Sequence, residues 1–170
     1  MHILMCNDDG ILADGLRQLA TYLSQYYRVT VVAPATEQSA KSHALTTEIP
    51  LKLDAYNGED ENPRLYALTG TPSDCMKFGL SYLLADDMPD LVISGINHGF
   101  NLGSDVLYSG TVSAAMESAF YGIPGLALSV ERYSVERGHE MHPFIHELIE
   151  KIYVNGNFEG LLNVNFPLRG

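Results

Sequence analysis

Apolar runs alternate with amphipathic stretches from one end of the chain to the other. Residues 2–6, HILMC, form a short apolar block of strand length. In 11–27, ILADGLRQLATYLSQYY, Leu12, Leu16, Leu19 and Leu23 recur at steps of four, three and four, which predicts a helix with one apolar stripe. RVTVVAP (28–34) is β-branched and stopped by proline, hence a second strand. Strand, helix and strand within about 30 residues is a βαβ unit with parallel strands. Residues 48–56 and 64–70, around Asn57-Gly58, predict a small hairpin excursion. Further along, 71–85 predicts a helix with Thr71 as cap and Pro72 in its first turn. Residues 90–95 predict a strand, 111–122 a helix of small residues, and 123–130 a strand. A helix over 141–156 and a last strand over 161–166 complete the series. The alternation predicts one domain, 1–170, built as a doubly wound, mainly parallel, Rossmann-like α/β sheet with a small β-hairpin insertion.

Composition adds limits. The 170 residues are 46% hydrophobic and 18% charged, a globular balance large enough for a core. Ten Lys and Arg against 21 Asp and Glu give a net charge of −11, which disfavours nucleic-acid polymers and anionic membranes as partners. An anionic small substrate would need a local positive element, either a metal ion or a set of backbone N–H groups. Cys6 and Cys75 have no metal-ligand or disulfide spacing and read as core residues. No signal peptide and no membrane span is apparent, so a cytoplasmic protein is expected.

In open α/β sheets the chemistry gathers at the carboxyl ends of the strands. Those ends here read NDDG (7–10), AP followed by QSAKS (33–42), SGINHGFNLGSD (94–105) and SVER (129–132). Asp8 and Asp9 repel each other by about 4 kcal/mol if about 4 Å apart at an effective dielectric near 20, and a divalent cation reverses that sign. Hard oxygen ligands suit Mg²⁺, Mn²⁺ or Ca²⁺. The pair reads equally as a capping Asp followed by an Asp-Gly turn. Ser39 alone reads as a solvated loop serine. Asn97 and Asn101 can offer a neutral oxygen or an amide donor. Ser109, Gly110 and Thr111 open an apolar helix whose free N–H groups suit phosphate, although Ser or Thr there is also an ordinary N-cap. His43 and His98 are the titrating groups near these loops, or simply surface histidines. Together the pieces describe metal-assisted phosphoryl transfer or phosphate-ester hydrolysis.

The ordered motifs NDDG, AP…QSAKS…LT, GTPSDC, SGIN.G.NLG.D..YSGTV.AAMES and LNVNFP, spread over residues 3–167, strongly resemble the SurE family of metal-dependent 5′/3′-nucleotidases, also called survival proteins. The resemblance implies a divalent-metal phosphatase, Mg or Mn, acting on nucleoside monophosphates. It implies metal binding by Asp8, Asp9, Ser39 and Asn97, with Asp8 and Asp9 catalytic. By the same matching Asn7, Asn101, Ser109, Gly110 and Thr111 would line the phosphate site. The family pattern has glycine where this chain has Ala40, and proline where it has Asp14 before Gly15. Family members continue past the LNVN.P strand into a segment that helps build a dimer by exchange, whereas this sequence ends at Gly170, so the expectation is a SurE-like domain lacking that segment, and a homodimer or higher homo-oligomer if the segment is dispensable. Two rivals remain. A phosphoacceptor receiver-like module would need a third aspartate and a lysine that the LVISGIN strand does not provide. A nucleotide-binding protein without catalysis would share the whole site.

Overall fold

The structure, a computed structural model, describes residues 1–39 and 41–167. The Ala40 departure and the final residue Gly170 lie outside them. Eleven elements follow the sequence. They are β1 His2–Cys6, α1 Asp14–Leu23, β2 Arg28–Pro34, β3 Leu53–Ala55, β4 Arg64–Leu68 and α2 Pro72–Phe78, then β5 Leu91–His98, α3 Gly110–Glu117, β6 Gly125–Val130, α4 Val135–Ile149 and β7 Leu161–Phe166. The sheet order is β3-β4-β2-β1-β5-β6-β7. Every pairing is parallel except β3 with β4.

Both faces of the sheet are covered, which is why its central strands read as unbroken apolar runs. Leu16, Leu19 and Leu23 of α1 join Met141, Ile145 and Ile149 of α4 over one face. Cys75 and Met76 of α2 and Ala114 of α3 cover the other. Cys6 and Cys75 are buried free thiols, as core residues would be. From β1 the chain winds outward to β2 and β4, then returns to β5 and winds the other way. The reversal leaves a crevice between the carboxyl ends of β1 and β5.

Several element bounds differ from the pattern-based expectation. α1 is shorter, because the chain turns at Gly10, whose carbonyl accepts from Ala13 N–H at 3.0 Å. Leu12 therefore sits outside the stripe and is 60% exposed, while Leu19 is fully buried. The hairpin is no excursion: β4 lies parallel on β2 and makes it part of the main sheet, and β3 adds only three residues at the edge. Asn57 closes the connection, accepting from Leu65 N–H at 2.8 Å and donating to Pro63 O at 2.7 Å. α4 starts well before residue 141. Ser134 caps it through Arg137 N–H at 3.3 Å, and its first two turns are polar and lack the apolar period that would mark them. Pro143 lies inside that helix instead of at its start. α3 ends at Glu117, and a short 3₁₀ turn stops at Gly122 in the left-handed region.

Replacing Leu19 by alanine is expected to cost about 2–5 kcal/mol, while Leu12→Ala changes stability by about 0.5 kcal/mol or less. Denaturant midpoints for the two variants check both, and equal losses would contradict the placement of the helix start.

Candidate active site

Four loops meet at the β1/β5 crevice. Asp8 stands at the end of the central strand, 6% exposed. Its Oδ1 accepts from the Thr111 hydroxyl at 2.5 Å. This bond ties the first strand to the first turn of α3, across 103 residues. Gly110 allows the approach: a Cβ there would stand 2.9 Å from the Asp8 Cβ. Ser109 caps α3, its hydroxyl oxygen accepting from Val112 N–H at 3.1 Å. The N–H groups of Gly110 and Thr111 belong to the first turn, which has no intrahelical acceptors, and the helix dipole adds partial positive charge there.

Asp9 is more open than Asp8. Burial raises its pKa to about 6, helped by the negative charges of Asp8 and Glu37, while His98 pulls the other way through its charge and its backbone N–H. Burial also raises the Asp8 carboxyl, against the bond from Thr111. The acids therefore sit in a partly desolvated place where negative charge is in excess. Glu37, which sequence reasoning passed over, belongs to this group and accepts from the Ser39 hydroxyl at 2.6 Å. Only its position three residues past a proline-terminated strand could have flagged it.

The expected site residues come together unevenly. Asn97 lies on β5 beyond a register shift, opposite Ser129 of β6, and donates its amide to Gly99 O at 2.9 Å. That leaves its side-chain oxygen as the ligating atom. The shift is made at Gly95, where φ is +132° and a Cβ would fall 2.3 Å from Leu128 O. Asn7 is fully buried and uses both amide atoms on Gly10, at 3.2 and 3.1 Å, so it closes the acid turn. Asn101 donates to the Ser129 hydroxyl at 2.8 Å and fastens its glycine-rich loop. Two residues without an expected role hold that loop from β7. Asn165 Oδ1 accepts from Asn101 N–H at 2.9 Å, and Asn163 donates to Asn101 O at 2.8 Å. The alternation in LNVNF was the available signal: two asparagines on one face of a strand. Among the two histidines, His98 reaches Asp9, and His43 pairs with buried Glu117 on α3, pinning the loop that carries Ser39.

The donor set tests whether a cation fits. Among the described residues no three His, Cys, Asp or Glu side chains form a metal cluster. The candidate set is two carboxylates plus neutral oxygens of Ser39 and Asn97, with no sulfur or imidazole donor. That set suits a hard divalent ion, and the upward displacement of both aspartates marks a place where positive charge is stabilising.

Asp9 has a folded pKa of about 6 against about 3.9 unfolded. Between those values the folded chain holds the extra proton, so this group's stabilisation is present below about pH 4 and lost as pH rises through about 6. Without divalent ions, the wild type is expected to lose more thermal stability between pH 4 and 6 than Asp9→Asn. Added Mn²⁺ should raise the melting temperature more at pH 7 than at pH 5. Scanning calorimetry over that range checks both, and a parallel pH dependence in the two proteins would contradict the assignment.

The same arrangement of strands and loops recurs in known proteins. The crystal structure of the SurE protein from Aquifex aeolicus matches with a TM-score of 0.86 at 39% identity, covering 98% of this chain and 66% of that one. The chain is 50% identical over 168 residues to the 5′-nucleotidase SurE of Thermoanaerobacter sp. (strain X514), covering 98% of this chain and 66% of that protein. It is 47% identical over 172 residues to the 5′-nucleotidase SurE of Thermosipho africanus (strain TCF52B), covering 98% and 65%. The chain thus spans about two thirds of the length of the curated relatives it matches. A family model described as Survival protein SurE matches residues 3–170. With that match running through all the loops at the β1/β5 crevice, the chain belongs to the SurE family.

Proposed function

We propose that the chain removes phosphate from nucleoside monophosphates, 5′- and also 3′-, as a divalent-metal-dependent phosphomonoesterase. The observation that carries this reading is the Asp8–Thr111 bond, which sets buried Asp8, the neighbour of Asp9, against the open N-terminus of α3. A cation site and a phosphate site are then adjacent, in a chain of net charge −11. The printed names of the relatives, 5′-nucleotidase SurE, support the same reading.

In this scheme Asp8 and Asp9 hold the metal ion, Mg²⁺ or Mn²⁺, with Ser39 and Asn97 as neutral ligands. Such an ion neutralises charge on phosphoryl oxygens and acidifies water. The Gly110 and Thr111 N–H groups bind two phosphoryl oxygens and fix the ester for in-line attack by water. Thr111 orients Asp8 through its hydroxyl while its N–H faces substrate. Asp9, more open than Asp8, accepts the proton released by the attacking water. Asn7 and Asn101 line the site by holding its two turns in shape.

No helix among the described residues is long and apolar enough to cross a membrane. Action on free nucleotides and not on nucleic-acid polymers agrees with the charge balance, and the cytoplasm is the proposed compartment. Homo-oligomeric assembly is supported by the exposure of Leu107, Tyr108 and Phe120 on and beside α3.

Phosphate release from 5′-AMP should require Mn²⁺ or Mg²⁺ and fall by about 10³-fold or more in Asp8→Asn, with Thr111→Val losing about 10²-fold. A colorimetric phosphate assay over a metal panel reads this. Nucleotide binding without release under any metal would make the protein a binder and overturn the enzymatic reading.

A further inference from the structure

A cavity of about 310 Å³ opens at the carboxyl ends of β2 and β4, beside the acid site and apart from it. Thr36, Gln38, Thr46, Ile49, Thr69 and Gly70 contribute to its walls. It shares one wall with the acid turn. Gln38 N–H donates to Asp8 O at 2.7 Å, and a Cβ on Gly10 would lie 3.3 Å from the Thr36 carbonyl carbon.

The other walls are held from behind. Asp74, 4% exposed, accepts from Thr46 N–H at 3.0 Å, from the Thr46 hydroxyl at 2.6 Å and from Thr71 N–H at 2.9 Å. Thr71 donates to Ala44 O at 2.7 Å, and Lys52 N–H donates to the Thr69 hydroxyl oxygen at 2.7 Å. These bonds use the backs of the threonines and leave the Thr69 hydroxyl proton and the Gln38 side-chain oxygen for a ligand.

The chemistry of the lining is selective. None of its residues is charged, so the cavity cannot neutralise a phosphate. It offers hydroxyls and an amide above apolar Leu68 and Ile49, which suits a neutral group that is flat, apolar on its faces and rich in hydrogen bonds at its edges. Its position also fits. Neighbouring strands lie about 4.8 Å apart, so β2 and β4 stand about 5 and 10 Å from β1 along the sheet edge. A base lies at that remove from the phosphorus in a nucleoside monophosphate. On the opposite flank the space above β6 and β7 is taken up by Asn101 with Ser129, Asn163 and Asn165.

We propose that the cavity over β2 and β4 is the nucleoside subsite of this enzyme, holding the base and ribose of a single nucleotide while phosphate sits at the β1/β5 crevice. This rests on the phosphomonoesterase reading above. A volume near the lower end of small-molecule sites is room enough for one nucleoside.

The test compares 5′-AMP with phenyl phosphate, an ester that has no nucleoside, in wild type, Gln38→Ala and Thr69→Val. The ratio of kcat/KM for 5′-AMP to that for phenyl phosphate is expected to fall about tenfold in each variant, mainly through KM. A ratio within about twofold of wild type in both variants overturns the subsite. Adenosine is also titrated into ¹⁵N-labelled protein, a readout independent of turnover. Shifts should centre on the Thr36, Gln38, Thr69 and Gly70 amides, and shifts confined to another face overturn the proposal. If neither ester is hydrolysed with any metal, the phosphomonoesterase reading fails by itself, and the adenosine shifts still decide the subsite.

Discussion

Excess negative charge at the end of β1 is the constraint around which the rest is arranged. Two adjacent carboxylates are pushed toward their protonated forms, both by burial and by Glu37 close by, and Asp9 also by the charge of Asp8. A fold could relieve this with a lysine or an arginine. Here the relief is spread over dipoles: the Thr111 hydroxyl and the first turn of α3 at Asp8, and the His98 N–H on Asp9. Dipoles offset part of the cost and leave room for a mobile counter-charge, which a fixed ammonium would occupy permanently. The doubly wound topology makes the arrangement possible, because the reversal of strand order opens a crevice where the end of the first strand meets the start of a helix more than 100 residues later.

Glycines and asparagines do the shaping, and they do it by different means. Gly110 removes a side chain so that a helix terminus can close on Asp8, and Gly95 turns β5 so that Asn97 stands beyond the register shift. The asparagines instead supply paired donors and acceptors. Asn7 closes the acid turn on itself, Asn57 closes the β3–β4 connection, and Asn101, Asn163 and Asn165 bind the glycine-rich loop to the last strand. A loop rich in glycine carries little order of its own, so its geometry is set by these bonds.

The alternation of apolar runs and amphipathic stretches was enough to read the strands and the parallel architecture, since a buried central strand and a one-sided helix leave strong periodic signals. Helix ends were read poorly. The polar first turns of α4 have no apolar period, and Leu12 fits the α1 stripe by spacing although the Gly10 turn puts it outside the helix. The place of the hairpin was also illegible, because strand pairing is a non-local choice that the composition of 64–70 does not encode. At the candidate site, the acid pair, Asn97 and the Ser109–Thr111 turn carried a chemical signature in the sequence, while Ser39 was nominated through the family resemblance alone. Glu37, Asn163 and Asn165 were not visible, as each acts through a neighbour, and only tertiary contact reveals which neighbour. Likewise, the roles of Asn7 and Asn101 as loop closures follow from bond directions that no spacing gives.

The fastening of the glycine-rich loop by β7 orders events in time. Residues 98–105 emerge from the ribosome about 60 residues ahead of the asparagines that hold them. At about 5–20 residues per second, that gap lasts several seconds. Throughout it, the acid turn and the start of α3 can already be present, and Asn101 can bond Ser129 of β6 while its backbone lacks the bonds to β7. The loop thus gains its full set of bonds only when β7, the last strand, has docked.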